Sequence, residues 1–341
     1  MKALYFDEHG SLQVMQYGDL PDPQPGSGHA LVQVKAVALN HLDLWVRNGW
    51  QGLQLPMPHI GGADVAGIVA GYGEGASGPA IGTPVVIDPG ILSGEDEWTQ
   101  RGAESLSPHY HILGETVRGG CAEYLVVPAR NLLPMPAHFD WVQAAAPILV
   151  GLTAWRMFQR VGLKAGETVA IVGAGGGVNS MAIQIAKQLG ASVYAITSTP
   201  EKQAKALELG ADQTINYSTE DWSKALYLST GKRGVDVVVD NVGQATLNAS
   251  MRAAARGGRI AIVGNTSGFK AEIDVRLIFG KQISLIGSTM GSHQDFCDVM
   301  QWVWSGKLKS VVDSVLPLAD GRRAHEILER GQQFGKVVLQ P

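Results

Sequence analysis

Only two cysteines, Cys121 and Cys297, occur in 341 residues, and they lie far apart in the chain. They supply neither a disulfide framework nor a thiolate cluster, so two buried or inert thiols are expected. Charged residues make up 17% of the chain and the net charge is −4, which gives no electrostatic case for nucleic acid or an anionic membrane. The longest apolar stretch, around Ala144 to Trp155, is too short and too broken by proline and glycine to span a bilayer. The N-terminus, MKALYFDEHG, lacks the apolar core of a signal peptide, and a cytoplasmic location is expected. Glycine, by contrast, is plentiful. Its 43 copies are spread along the whole chain and so mean many tight turns, not low complexity. The length exceeds what one hydrophobic core usually serves, and two domains are expected.

The most informative stretch runs from Glu167 to Lys202. An apolar run, Val169 to Val172, has the make-up of a buried parallel strand, and glycines then crowd the turn at Gly173, Gly175, Gly176 and Gly177. Met181, Ile185 and Leu189 follow at helical spacing, Gly190 is placed to end that helix, and Ser192 to Thr197 reads as a second strand. A glycine turn lets a diphosphate approach the backbone, and the helix N-terminus offers it free N–H groups. The G-x-G-x-x-G pattern is imperfect: Gly173, Gly175 and Val178 fit one register, and Ala174, Gly176 and Asn179 another. The strand-before, helix-after context nevertheless marks a dinucleotide site, with Gly175, Gly176, Gly177 and Val178 against the diphosphate.

The end of the second strand bears on which dinucleotide. NAD sites usually place an acid there to hold the ribose 2′-hydroxyl. This chain has Thr197, Ser198 and Thr199, with Lys202 three residues on. Hydroxyls and a cation suit a 2′-phosphate, so NADP(H) is expected. Ser198 and Thr199 can equally cap the helix that Pro200 opens, and the two roles are compatible.

From Met1 to about Val150 the chain is β-rich, with short strands at Ala30–Ala38, His59–Val69, Thr83–Ile87 and Glu123–Val127. From Gly151 onward strands and helices alternate, with strands at Val169–Val172, Ser192–Thr197, Val235–Asp240, Arg259–Val263 and Ile283–Gly287. The tail from about Ser292 holds a helix, a strand at Val311–Pro317, a second helix near Ala319–Arg330 and a closing strand, Gly335–Leu339. The fold class is therefore α/β. A doubly wound nucleotide domain, residues 151–292, is expected between two parts of a β-rich domain, 1–150 and 293–341.

The segments LNHLDLWVRNG (39–49), GGADVAGIV (61–69), GGCAEYLVVPARNLLPMP (119–136), GLTAW (151–155), LGADQTINY (209–217), VDVVVDNVG (235–243), GGRIAIVG (257–264) and FGKVVL (334–339) carry a family resemblance. The chain resembles the medium-chain dehydrogenase/reductase superfamily over essentially its whole length. It is most similar to the quinone oxidoreductase and zinc-type alcohol dehydrogenase-like branches. The resemblance implies a GroES-like catalytic domain and a Rossmann domain. It also implies cofactor contacts at Thr153, Tyr217, Asn241, Gly243, Gly264, Asn265, Thr266, Ser288, Thr289, Gly335 and Lys336.

The same resemblance raises the question of zinc. The superfamily's catalytic zinc uses a Cys where this chain has Asn40 and a His where it has Ala63, and residues 145–151 contain no third Cys. The structural zinc lobe needs four cysteines, and the segment Ile91 to Ile112 has none; His109 and His111 read as exposed loop histidines. Both zinc sites are expected to be lost, with no metal bound. Reducing a double bond conjugated to a carbonyl needs only hydrogen-bond donors for the enolate and a proton source. Metal-free members resemble this chain at Asn40 and Asp43 and reduce quinones, enones or enoyl thioesters with NADPH, which is the leading expectation. Asn40 and Asp43 are the candidate catalytic residues; Asp43 can instead cap the helix begun by Leu44 and Trp45, and pair with Arg47. Trp45 and Trp50 stand where many quinone reductases have tyrosines, so the proton source is unassigned and water is a candidate. The rival expectations are an alcohol dehydrogenase or carbonyl reductase recruiting metal through His41, His59 or Asp64, and a non-catalytic NADPH-binding protein. The apolar closing strand, 281–287, would leave a sheet edge open, so a homodimer or a dimer of dimers is expected.

Overall fold

The computed structural model describes all residues, Met1–Pro341. The chain divides into two compact units, one formed by Met1–Leu149 with Gly291–Pro341 and the other by Val150–Met290.

The second unit is built on six parallel strands in the order Gln213–Asn216, Ser192–Thr197, Thr168–Val172, Val235–Asp240, Ala254–Ile262, Ser284–Gly287. The chain starts at Thr168–Val172, builds outward to one side, then returns to build the other. The order reverses between Thr168–Val172 and Val235–Asp240, and ligands bind outside the strand C-termini at such a switch point. The central strands are continuous runs of small and β-branched residues because helices cover both faces; Val169, Ile171, Val237, Val238 and Val239 are fully buried. The strand Gln213–Asn216 has no counterpart among the expected elements. Its sequence, QTIN, is short and mostly polar, and pairing with Ser192–Thr197 makes it a strand. Ala254–Ile262 begins earlier than expected, across Gly257 and Gly258, with a register irregularity near its start.

The first unit is organised by the ten-residue strand His29–Ala38, whose alternating burial puts Ala30, Val32 and Val34 in the core. It pairs antiparallel with Asp64–Tyr72 along its length, with Tyr124–Pro128 at its first half and with Lys336–Gln340 at its end. Two pairings converge on Ala38: one neighbour places Asp64 opposite it and the other Val338. Two residues on along the first strand is Asn40, and two residues back along the last is Lys336. Register alone thus gathers Asn40, Asp64 and Lys336, which are 24 to 296 residues apart in sequence.

Candidate active site

At the end of His29–Ala38 the chain turns at Asn40 into the helix His41–Asn48. Asn40, not Asp43, is the N-cap, and Asp43 sits in the first turn, where its Oδ2 accepts the Asn40 backbone N–H at 2.7 Å. Asp43 Oδ1 accepts the Gly62 N–H at 2.7 Å, so the carboxylate staples the helix start to the loop before Asp64. Burial holds the Asp43 carboxyl up at about 6, opposed by these two backbone donors and by the Lys336 charge. The expected Asp43–Arg47 pair does not form. Arg47, 1% exposed, bonds instead to Glu329, Asn48 Oδ1 and the Gly10 carbonyl, and faces His325 Nδ1. The helical i,i+4 spacing permits the pair, but packing against the helix Gly321–Arg330 turns the guanidinium the other way.

The side chain of Asn40 points away from its helix into a buried polar cluster. Lys336 Nζ donates to Asn40 Oδ1 at 2.5 Å and to Asp64 Oδ2 at 2.8 Å, and Asn40 Nδ2 donates to the same Asp64 oxygen at 3.1 Å. Asp64 Oδ1 accepts the Leu149 N–H at 2.8 Å. None of the three side chains is more than 7% exposed. Burial pushes the Asp64 carboxyl up, while the Lys336 ammonium and the Asn40 amide pull it down. An ammonium has three N–H groups, and two of Lys336's are engaged here.

This donor set does not suit zinc. Asn40 supplies an amide, Ala63 supplies nothing, and the only carboxylate, Asp64, already faces a cation. His59 turns elsewhere, its Nε2 toward the Gly114 carbonyl, and no three His, Cys, Asp or Glu side chains are grouped to hold a metal. The segment 91–112 is organised without thiolates. Gly90–Leu92 pairs with Tyr110–Ile112, and Asp96 accepts from Trp98 N, Thr99 N and Ser107 Oγ. His109 is exposed, and His111 is half-buried between Thr116 and Ser93.

In the nucleotide unit most of the expected cofactor residues lie at or just beyond the C-terminal ends of neighbouring strands, whereas Thr153 lies within the helix Ile148–Val161. The turn after Val172 has Gly173 at φ +78°, a conformation that favours glycine, and the helix Gly177–Gln188 starts immediately after Gly176. Asn179, which the motif reading did not single out as a contact, donates to the Val172 and Gly173 carbonyls at 2.7 and 2.8 Å. Its Oδ1 accepts from Asn241 Nδ2 at 2.7 Å, which ties the glycine turn to the adjacent strand end. Asp240, fully buried, accepts the N–H groups of Val242 and Gly243 and the hydroxyls of Thr246 and Ser250. That fixes the Asn241–Gly243 turn. Gly264 lies against it so closely that any Cβ would meet the Asn241 carbonyl oxygen at 2.9 Å, and Thr266 donates to the same oxygen. Asn265 and Thr266 are exposed beyond it.

On the other side, Thr199 caps the helix Pro200–Glu208 by accepting the Lys202 N–H, and Tyr217 N donates to the Thr197 carbonyl. Ser198, Thr199 and Lys202 are partly exposed and Tyr217 is 48% exposed. Thr153 is buried, its hydroxyl 4.0 Å from Met290 Sδ. Ser288 is half-buried and Thr289 exposed. Gly335 and Lys336 belong to the other unit, where Lys336 completes the Asn40 cluster. Two buried polar atoms at the sheet's C-terminal edge, Asn241 Oδ1 and Ser288 Oγ, have no hydrogen-bond partner. Buried polar groups are rarely left so, and with the open N-terminus of the helix Gly177–Gln188 they fit a bound dinucleotide.

Comparison with known proteins identifies relatives of both units. Residues 26–137 match the alcohol dehydrogenase GroES-like domain, and residues 177–305 match the zinc-binding dehydrogenase family. A crystal structure of an NAD-dependent alcohol dehydrogenase is 43% identical, with a TM-score of 0.96 and 100% of both chains covered. An NAD-dependent alcohol dehydrogenase of Sulfurisphaera tokodaii is 29% identical over 100% of both chains. The quinone oxidoreductase of Rattus norvegicus is 28% identical over 99% of this chain and 97% of its own. No helix is long and apolar enough to cross a membrane. With a GroES-like domain, a Rossmann domain and whole-length relatives of this kind, the chain belongs to the medium-chain dehydrogenase/reductase superfamily of nicotinamide-dependent oxidoreductases.

Proposed function

We propose that the protein is an NADPH-dependent reductase that works without metal on a double bond conjugated to a carbonyl, as in a quinone, an enone or an enoyl thioester. The observation that carries this reading is the Lys336 ammonium bonded to Asn40 and Asp64. A cation already stands beside Asn40, and Asp64 holds it in place. A nicotinamide bound here would supply the hydride. Negative charge then builds on the substrate carbonyl oxygen, and a fixed donor in a water-poor site stabilises that charge more than water would. The remaining N–H of Lys336 is that donor in this reading. Asn40 orients the ammonium, and Asp43 fixes the turn that presents Asn40. Water supplies the closing proton.

For the cofactor, Gly175, Gly176, Gly177 and Val178 would take the diphosphate, and Asn241, Gly243, Gly264 and Ser288 would line the strand ends. Thr197, Ser198, Thr199, Lys202 and Tyr217 would hold the adenosine side. No carboxylate ends the strand Ser192–Thr197, and the capped helix start beside Lys202 favours a 2′-phosphate, hence NADPH over NADH.

A second reading, carbonyl reduction or alcohol oxidation by the same cluster, is favoured by the 43% identity to an alcohol dehydrogenase. One experiment separates them. Purified protein is assayed in a strong chelator with NADPH or NADH against quinones, enones, enoyl thioesters and aldehydes. Turnover of an activated alkene or quinone with NADPH supports the proposal. Turnover confined to aldehydes, or abolished by the chelator together with loss of bound zinc, refutes it.

A further inference from the structure

Far along the sequence from Asn40, the helix His293–Trp304 carries His293 and Cys297 one turn apart. His293 Nδ1 is 2.7 Å from Asp88 Oδ2, and its Nε2 is 3.6 Å from Cys297 Sγ. Asp88 is buried and immobilised: its Oδ1 accepts the Gly90 N–H at 2.9 Å, and its backbone exchanges hydrogen bonds with Asn131. The helix start is held by a capping box between Ser292 and Asp295, so His293 and Cys297 are presented from a fixed frame. Asp295 turns its carboxylate back to the Ser292 N–H, Gln294 bonds Asp298, and the half-buried Tyr110 hydroxyl donates to the Gly291 carbonyl. The groups acting on the imidazole are therefore Asp88 and Cys297.

We propose that Cys297, His293 and Asp88 form a reactive-thiol site that exchanges with low-molecular-weight disulfides. The arrangement has a nucleophile, an imidazole within reach of it, and a buried carboxylate that orients the imidazole. A mere tether between helix and loop would need only the Asp88–His293 bond; the sulfur on the far nitrogen is the additional feature. The Asp88 bond, and after it the contact with Cys297, hold the His293 imidazole up at about 10, so an imidazolium lies beside the sulfur at neutral pH. That imidazolium is placed to give a proton to the thiolate that leaves in an exchange. Cys121 is the opposite case: it is 1% exposed, and burial, with Asp43 nearby, pushes its thiol up. Of the two thiols only Cys121 is enclosed, since Cys297 is partly open to solvent.

In the exchange the Cys297 sulfur attacks one sulfur of a disulfide RS–SR. The Cys297 thiol gives its proton to solvent, a Cys297–SR bond forms, the RS–SR bond breaks, and the leaving thiolate takes a proton from His293 to become RSH. Solvent then restores a proton to the imidazole. The net change is thiol plus disulfide giving mixed disulfide plus thiol, with no further oxidant. The test uses the full chain and hydroxyethyl disulfide, a small neutral probe, with intact-mass spectrometry under native conditions at neutral pH. One adduct per chain is expected, absent from Cys297→Ser and retained by Cys121→Ser. Its formation should be about tenfold slower or more in His293→Gln, because the leaving thiolate loses its proton donor. Asp88→Asn, which keeps an oxygen for the Gly90 N–H, should slow it in the same direction. A His293→Gln rate within about twofold of wild type, an adduct on Cys121, or no adduct before unfolding would overturn the proposal.

Discussion

Replacing Lys336 with methionine removes the ammonium and keeps most of the side chain's apolar bulk. It leaves Asp64, fully buried, with only the Asn40 amide and the Leu149 N–H as partners. Breaking a buried ion pair from one side costs about 3–5 kcal/mol, because a charge stays in place without its counter-ion. For a domain of this size each kcal/mol is worth roughly 2–4 °C, so Lys336→Met should melt about 10 °C or more below the wild type. Asp64→Asn should fall by a comparable amount. The double variant, in which both charges are gone, should lose less than the sum of the two by about 1–3 kcal/mol. The pH dependence has a definite sign. Without the ammonium to pull it down, the Asp64 carboxyl rises further, so the folded state binds a proton more tightly than the unfolded chain does. The stability that protonation provides is lost as pH rises through the raised value, and Lys336→Met should therefore recover part of its deficit on mild acidification. Thermal melts of the four proteins at two pH values measure all of this. A Lys336→Met loss below about 1 kcal/mol, or strictly additive losses, would show that the pair is not coupled as its geometry indicates.

Three other expectations follow from different parts of the chain. Lys202→Ala should weaken NADPH binding by about 1–3 kcal/mol and leave NADH nearly unchanged, as measured by fluorescence titration; equal losses would remove Lys202 from the 2′-phosphate site. His325 is held down at about 3 by burial and then by the Arg47 charge, so its contribution to stability is lost as pH falls below the ordinary histidine value. At pH ~5 that amounts to about 2 kcal/mol, and His325→Gln should show a correspondingly shallower acid slope in melts. The strand Ser284–Gly287 ends its sheet, and Phe279 and Val275 of the preceding helix are 69% and 60% exposed, which favours self-association at this edge. Light scattering should give a homodimer or a dimer of dimers. Leu285→Pro should disrupt it, and the mass of a single chain for the wild type would dismiss the idea.

What was legible in the sequence was whatever short-range pattern decides. The valine run at 169–172, the glycine turn and the helix behind it are set by neighbours in the chain, and all appear where the pattern puts them. The strand Gln213–Asn216 was invisible because its conformation is imposed by the strand beside it, not by its own residues. Asp43 shows the boundary within a single turn. The residue types could place a capping carboxylate near position 43, but whether it served as cap or as partner to the cap depended on where the strand His29–Ala38 ended. Lys336 lies wholly beyond that boundary. Nothing in FGKVVL distinguishes a lysine bound for a cofactor from one bound for a carboxylate, because its partner Asp64 is 272 residues away. The decision is made by register. Ala38 pairs with Asp64 on one side and Val338 on the other, and a shift of one residue in either pairing would turn Lys336 or Asp64 to the opposite face. The buried valines and leucines of the same strands hold that register, since a slip would expose them. The polar cluster is thus positioned by the apolar core beneath it, and its chemistry could be read only after the sheet was assembled.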